Sequence, residues 1–192
     1  ALYARSGIRK RHSVLLDVPE GESTPRQSFY TPARDAGDDG PSTAVRMQAF
    51  EAAAPSLAAA ASEAALRDAG MAPGDVTHLV TVSCTGFFAP GLDAALVERL
   101  GLPRTVQRTH VGFMGCHGAL NGLRVASSMA GADPDACVLL CCVELCSLHL
   151  GYRQDADTLV ANALFADGAA AVVGVGANLA GAARAPAAPG RS

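Results

Sequence analysis

The sequence predicts an α/β domain with βαβ layering around a largely buried sheet. Short apolar runs of strand character alternate with stretches of helical periodicity. Glycine and proline stand at the junctions between them. Apolar residues make up 49% of the 192 positions, aromatic residues only 5%, and Trp is absent. Ala, Val and Leu must therefore fill the core, which suits close-packed helices and buried strands.

Residues 1–42 carry Pro19, Pro25, Pro32 and Pro41 and several glycines, and read as loops with little regular structure. Thr43 to Ala69 turns helical: Phe50, Ala54, Leu57, Ala61 and Ala65 fall three and four apart, the spacing of one helix face. Gly70 stops this helix, and Pro55 is expected to kink or divide it. Val76 to Cys84 is a Val/Leu/Thr run, a buried strand. A turn at Gly86 to Pro90 leads to a short helix, Leu92 to Leu100, closed by Gly101 and Pro103. A strand follows at Thr105 to Val111, then a glycine-bearing turn at Gly112 to Gly115 and a helix from Cys116 to Met129. Gly131 and Pro134 end that helix. Ala136 to Val143 is a strongly apolar strand, Asp155 to Phe165 a helix, Asp167-Gly168 a turn, and Ala169 to Val175 the last strand. The expected domain is 1–176, with 177–192 an Ala/Gly/Pro-rich linker or disordered tail.

The formal net charge is -3, with both signs scattered and no basic stripe, so nucleic acid is not an expected partner. No run of 18 apolar residues exists, so no membrane span is expected, and no signal peptide is visible. The opening Ala-Leu-Tyr-Ala-Arg-Ser-Gly is mid-element in character and reads as processed or cut from something longer. Cys137, Cys141, Cys142 and Cys146 crowd into one strand and its exit, whereas a disulfide framework spreads its cysteines over loops. A reducing, cytoplasmic compartment follows. Metal binding is the sharper alternative, but CxxC spacing is lacking and Cys141 and Cys142 would point to opposite faces of a strand. No metal is expected.

Cys116 follows a strand and a glycine turn and opens a helix. The first turn of a helix has free N–H groups and a partial positive charge, which stabilise a thiolate. Gly115 and Gly118 would leave room for a substrate carbonyl, and nearby N–H groups would hold the developing oxyanion. Cysteine suits acyl transfer because its thiolate is strongly nucleophilic. On placement alone, one more buried cysteine remains the competing reading. His117 is not paired with it: neighbours on a helix point about 100° apart.

Four segments, in order, add a resemblance. Val-Gly-Phe-Met-Gly-Cys-His-Gly-Ala-Leu-Asn-Gly-Leu-Arg, around Cys116, resembles the nucleophile segment of the chalcone-synthase-like, type III polyketide synthases. Ser6 to His12 is similar to the family's early basic segment, Cys84 to Gly91 to its Thr-Ser-Gly…Pro-Gly loop, and Ala163 to Ala171 to its Ala-Leu-Phe-Gly-Asp-Gly stretch. The bacterial members that make alkylresorcinols, alkylpyrones or tetrahydroxynaphthalene are the nearer likeness. The resemblance implies the N-terminal half of a thiolase-like fold, a mixed sheet with helices layered on it. It implies Cys116 as nucleophile and Phe165 as gatekeeper between the CoA tunnel and the reaction cavity. Cys84, Thr85, Cys146, His149 and Ala161 match cavity-lining positions. Ala89 matches a loop residue that reaches the neighbouring subunit's cavity in a homodimer, and Arg5 a basic residue near the CoA phosphates. Glu144 matches a glutamate expected to make structural hydrogen bonds.

No cofactor is implied; acyl-CoA and malonyl-CoA are the implied substrates. The family's His and Asn, which polarise the thioester and stabilise the enolate, belong to a second half that this chain does not resemble. A missing C-terminal half, in the same or another chain, is therefore an expected partner. The residues alone leave plainer readings: Phe165 as core, Cys146 and His149 as packing after a strand, Thr85 as a turn cap, Asp167 as a turn residue. A ketoacyl synthase III-like enzyme and a non-catalytic chain needing a second polypeptide are the rival functions.

Overall fold

A computed structural model describes residues 2–181. Its four strands are β1 (His78–Ser83), β2 (Gln107–Gly112), β3 (Cys137–Leu145) and β4 (Asp167–Val175). They form one mixed sheet in the order β2-β1-β3-β4. β1 runs parallel to both β2 and β3, and β4 is antiparallel to β3. The helices are α1 (Leu2–Arg5), α2 (Thr43–Ala69), α3 (Leu92–Leu100), α4 (Gly118–Ala132) and α5 (Ala156–Leu164). The α/β class expected from the sequence is the one observed.

The two faces of the sheet carry separate cores because strand side chains alternate. Leu79, Cys137, Leu139, Cys141 and Val143 face α2 and α3. Val80, Val82, Val138 and Leu140 face α4, where Ala126 packs against them. The cysteines divide the same way. Cys141 Sγ reaches the Ala58 carbonyl of α2 at 3.6 Å, while Cys142 packs in the α4 core.

α2 is one unbroken helix of 27 residues through Pro55, so the expected division does not occur. Pro55 forfeits one backbone bond, but Phe50, Ala54, Ala58, Ala59, Ser62 and Leu66 are buried on both sides of it. Packing along the whole length holds the helix together. The fully buried face follows Phe50, Ala54, Ala58, Ser62 and Leu66. Of the predicted set, Phe50 and Ala54 lie on it, Leu57 packs half-buried against the core, and Ala61 and Ala65 are half-buried at its edge. In so alanine-rich a helix several faces are apolar, and the sheet selects among them.

α4 presents Gly118, Gly122 and Ala126 to the sheet. A Cβ on Gly122 would lie 2.7 Å from Val82 Cγ2 and 2.9 Å from Leu140 Cδ1. The stripe of small residues is what lets α4 lie directly on β1 and β3.

Asp167 is not a turn residue. It opens β4, is buried, and its carboxylate accepts from Ser147 N at 2.7 Å, Ser147 Oγ at 2.6 Å and Val14 N at 2.7 Å. Asp-Gly reads as a turn in sequence, but three donors from distant segments fix this one in a strand. They also tie the N-terminal segment to the end of β3. Tyr30 Oη adds a second tie, donating to Ser147 O at 2.9 Å and accepting from Leu150 N at 3.1 Å. Beyond residue 176 the chain stays anchored briefly: Asn178 N donates to Pro134 O at 2.9 Å and Leu179 packs on the core. Residues 182–192 of the expected tail lie outside the described residues.

Candidate active site

β1 and β2 end side by side, with Ser83 opposite Gly112. The chain leaving β1 gives Cys84 and Thr85, and the chain leaving β2 folds over them. Phe113 and Gly115 both have φ of 58°, so the turn reverses within three residues. A left-handed phenylalanine is rare and costs about 1–3 kcal/mol. The residue is 70% exposed, and its ring meets that of Phe87 edge-on at 5.9 Å. Cys116 follows, exposed, in a 3-10 turn spanning Gly115–His117.

This refines the expected placement. Cys116 does not sit in the first turn of α4 but in the tighter turn that runs into it, because Gly118, the first residue of α4, is already seated on β1. His117 is the cap residue and makes no side-chain capping bond among the described residues. The first N–H of α4, that of Gly118, donates back to Gly115 O of the 3-10 turn, so the turn and the helix run on continuously where Cys116 lies. Gly118 does not make room for substrate, as its sequence position suggested. A Cβ there would lie 2.9 Å from Val82 Cγ1, so the glycine serves helix packing. Gly115, by contrast, faces open space.

Cys116 lines a cavity of about 330 Å³. Cys84 and Thr85 come from the end of β1, Cys146, His149 and Leu150 from the 3-10 turn after β3, and Ala161, Asn162 and Phe165 from α5 and its cap. Eight residues singled out in the sequence, Gly115 among them, thus meet at one place, although they span positions 84 to 165. Arg5, exposed at the end of α1, and Ala89, exposed in the loop between β1 and α3, do not line it. His117 is exposed and outside it as well.

Glu144 ties the walls together. Its carboxylate accepts from Cys84 N at 3.0 Å, Thr85 N at 3.0 Å and Thr85 Oγ1 at 2.6 Å. Thr85 Oγ1 accepts in turn from Leu145 N at 2.8 Å, so it bridges two strand ends rather than capping a turn. His149 donates from Nε2 to Thr85 O at 2.6 Å. Burial, then the Glu144 charge, raises the Cys84 thiol. Burial, then Glu144 and Asp167, pushes Cys146 up to about 11. Both are held as thiols at neutral pH.

Leu150 and Asn162 were not singled out in the sequence. Asn162 Nδ2 donates to Gly151 O at 2.8 Å and its Oδ1 accepts from Gly151 N at 3.2 Å, clamping α5 to the segment after His149. An amide in an otherwise apolar helix turn was the available signal. Leu150, Asn162 and Phe165 also line a second cavity of about 440 Å³ that reaches Tyr3, Arg11 and Tyr30. Phe165, 48% exposed, stands between the two. Among the described residues no three His, Cys, Asp or Glu side chains are grouped to hold a metal ion, and no helix is long and apolar enough to cross a membrane.

The profile of the chalcone and stilbene synthase N-terminal domain matches residues 31–178. The chain belongs to the chalcone and stilbene synthase family. Within that family it is 41% identical over 177 residues to "Probable polyketide synthase 1" of Dictyostelium discoideum, covering 92% of this chain and 5% of that protein. It is 39% identical over 176 residues to the 1,3,6,8-tetrahydroxynaphthalene synthase of Streptomyces peucetius subsp. caesius, covering 91% of this chain and 42% of that enzyme. The crystal structure of 1,3,6,8-tetrahydroxynaphthalene synthase from Streptomyces coelicolor, a bacterial type III polyketide synthase, superposes with a TM-score of 0.73 at 29% identity, over 91% of this chain and 45% of that one. The likeness to type III polyketide synthases expected from the four segments is therefore shown, and the chain corresponds to their N-terminal part. It spans less than half the length of these relatives.

Proposed function

We propose that this chain is the nucleophile-bearing half of a type III polyketide synthase, which loads an acyl group from acyl-CoA on Cys116 and extends it with malonyl-CoA by decarboxylative Claisen condensation. The observation that carries this is the meeting of Cys116 with Cys84, Thr85, Cys146, His149, Ala161 and Phe165 around one cavity in a chain of this family.

The Cys116 sulfur attacks the thioester carbonyl, CoA leaves as its thiolate, and the oxyanion formed on the way is stabilised by N–H groups at the start of α4. One such donor is worth about 3 kcal/mol in related chemistry. Cys84 and Cys146, kept as thiols by burial, compete poorly for the acyl group. Malonyl-CoA then loses CO2, and the resulting enolate attacks the Cys116 thioester. Phe165 is well placed for a gate because it borders both cavities. Cyclisation releases a pyrone, resorcinol or naphthol. In this reading Arg5 contacts CoA phosphates, Ala89 belongs to a homodimer interface, and the enzyme works in the cytoplasm with no resident cofactor.

The resemblance assigns the decarboxylation and thioester polarisation to a His and an Asn of a C-terminal half. The 192-residue chain with a starter acyl-CoA and malonyl-CoA is thus expected to release no pyrone, and to do so once a polypeptide bearing that half is added. Product chromatography checks both. Steady triketide formation by the chain alone would overturn the division of labour. No product with the second half folded and present would overturn the polyketide reading.

A further inference from the structure

Three thiols border one cavity: Cys84, Cys116 and Cys146. The acyl-transfer reading uses only Cys116. Two of the three are brought together by the backbone itself. β1 and β2 are hydrogen-bonded neighbours up to Ser83 and Gly112, and Phe113 N still donates to Ser83 O at 3.4 Å. The turn at Phe113 and Gly115 then folds the chain back across the end of β1. Gly115 and Cys116 thereby come to line the same cavity as Cys84. Cys84 is the residue after Ser83, and Cys116 lies four residues after its partner Gly112, so the fold-back turn sets the two thiols on one wall of that cavity. Cys146 approaches from a different strand, through the 3-10 turn after β3.

We propose that Cys84 and Cys116 form a redox-reversible disulfide pair, with Cys116 the thiol that meets the oxidant and Cys84 the thiol that resolves it. The oxidant is a peroxide. Cys116, exposed, gives up an electron pair to one peroxide oxygen and becomes a sulfenic acid, and the other oxygen leaves as water. Cys84 then attacks the sulfenyl sulfur. The S–S bond forms, the S–O bond breaks, and the second oxygen departs as water with the two protons it needs. Glu144, whose carboxylate accepts from Cys84 N at 3.0 Å, relays the Cys84 proton to the departing hydroxide and so completes that second water. Each disulfide consumes one peroxide and yields two waters, and a dithiol returns it to the starting state by exchange. The pair stores the nucleophile in a form that no longer accepts acyl groups and is not oxidised further. It is a property of the two cysteines and holds whether or not the chain proves to be a polyketide synthase.

The test is peptide mapping of the reduced 192-residue chain after hydrogen peroxide, with free thiols blocked by iodoacetamide. The expected result is a Cys84–Cys116 crosslinked peptide, loss of most alkylation at both residues, and full recovery after dithiothreitol. A Cys146→Ser chain is expected to give the same crosslink. A Cys84→Ser chain is expected to accumulate sulfinic acid at Cys116 that dithiothreitol does not reverse, with its far-ultraviolet circular dichroism confirming the fold. Cys116 sulfinic acid in the unaltered chain with Cys84 still alkylated would overturn the proposal. So would a Cys116–Cys146 crosslink, or Cys116 crosslinks only between chains on a non-reducing gel.

Discussion

Cys84, Cys116 and Cys146 share one cavity and differ in what surrounds each sulfur. Cys146 is pushed up to about 11, chiefly by desolvation and then by the charges of Glu144 and Asp167. Cys84 is raised by the same kind of environment. A raised thiol pKa means that the reactive thiolate is scarce at neutral pH and grows about tenfold for each pH unit until the pKa is passed. Timed iodoacetamide labelling at pH 7 is therefore expected to modify exposed Cys116 first. Labelling of Cys146 is expected to climb steadily between pH 7 and about 11. Equal rates at Cys116 and Cys146 at pH 7 would contradict the account. Cys116, the proposed nucleophile, is thus distinguished from its neighbours by exposure and by the turn that carries it. Neither feature is visible in a list of six cysteines.

At the scale of elements, the close seating of α4 on the sheet decides where Cys116 lies. Gly122→Ala would drive a methyl group into Val82 and Leu140. Overpacking of this kind costs about 1–3 kcal/mol, so the urea midpoint is expected to fall while the same substitution at open Gly131 changes little beyond helix propensity. Most elements were legible because local signals agree with the fold: α2 and α3 begin and end where periodicity and glycine stops placed them. The opposite faces of Cys141 and Cys142 followed from the strand period. The misreadings share a cause. Pro55, Asp167 and Gly118 each carry a strong local signal, and each is governed by partners distant in sequence. Asp167 shows it best, since its ligands include Val14 N, 153 residues away. The cavity itself was legible only through the resemblance, because no local pattern joins Thr85 to Ala161 or Phe165.

The whole molecule leaves apolar surface open. Leu120 and Leu123 on α4 are 53% and 46% exposed. Phe113 and Met114 lie just before that helix, and Leu159, Val160 and Leu164 on α5 are exposed as well. Such surface favours association, and the chain spans less than half the length of the structure it superposes on. Sedimentation velocity is expected to show self-association that grows with concentration and weakens in a Leu120→Ser, Leu123→Ser chain. A clean monomer at high concentration would contradict this. Central to the account is the claim that Cys116 accepts the acyl group, and intact mass spectrometry after incubation with an acyl-CoA tests it most directly. The account predicts one acyl adduct, mapped to Cys116 and absent from a Cys116→Ala chain that remains folded. An adduct that persists in Cys116→Ala, or one that maps to Cys84 or Cys146 in the unaltered chain, would contradict it.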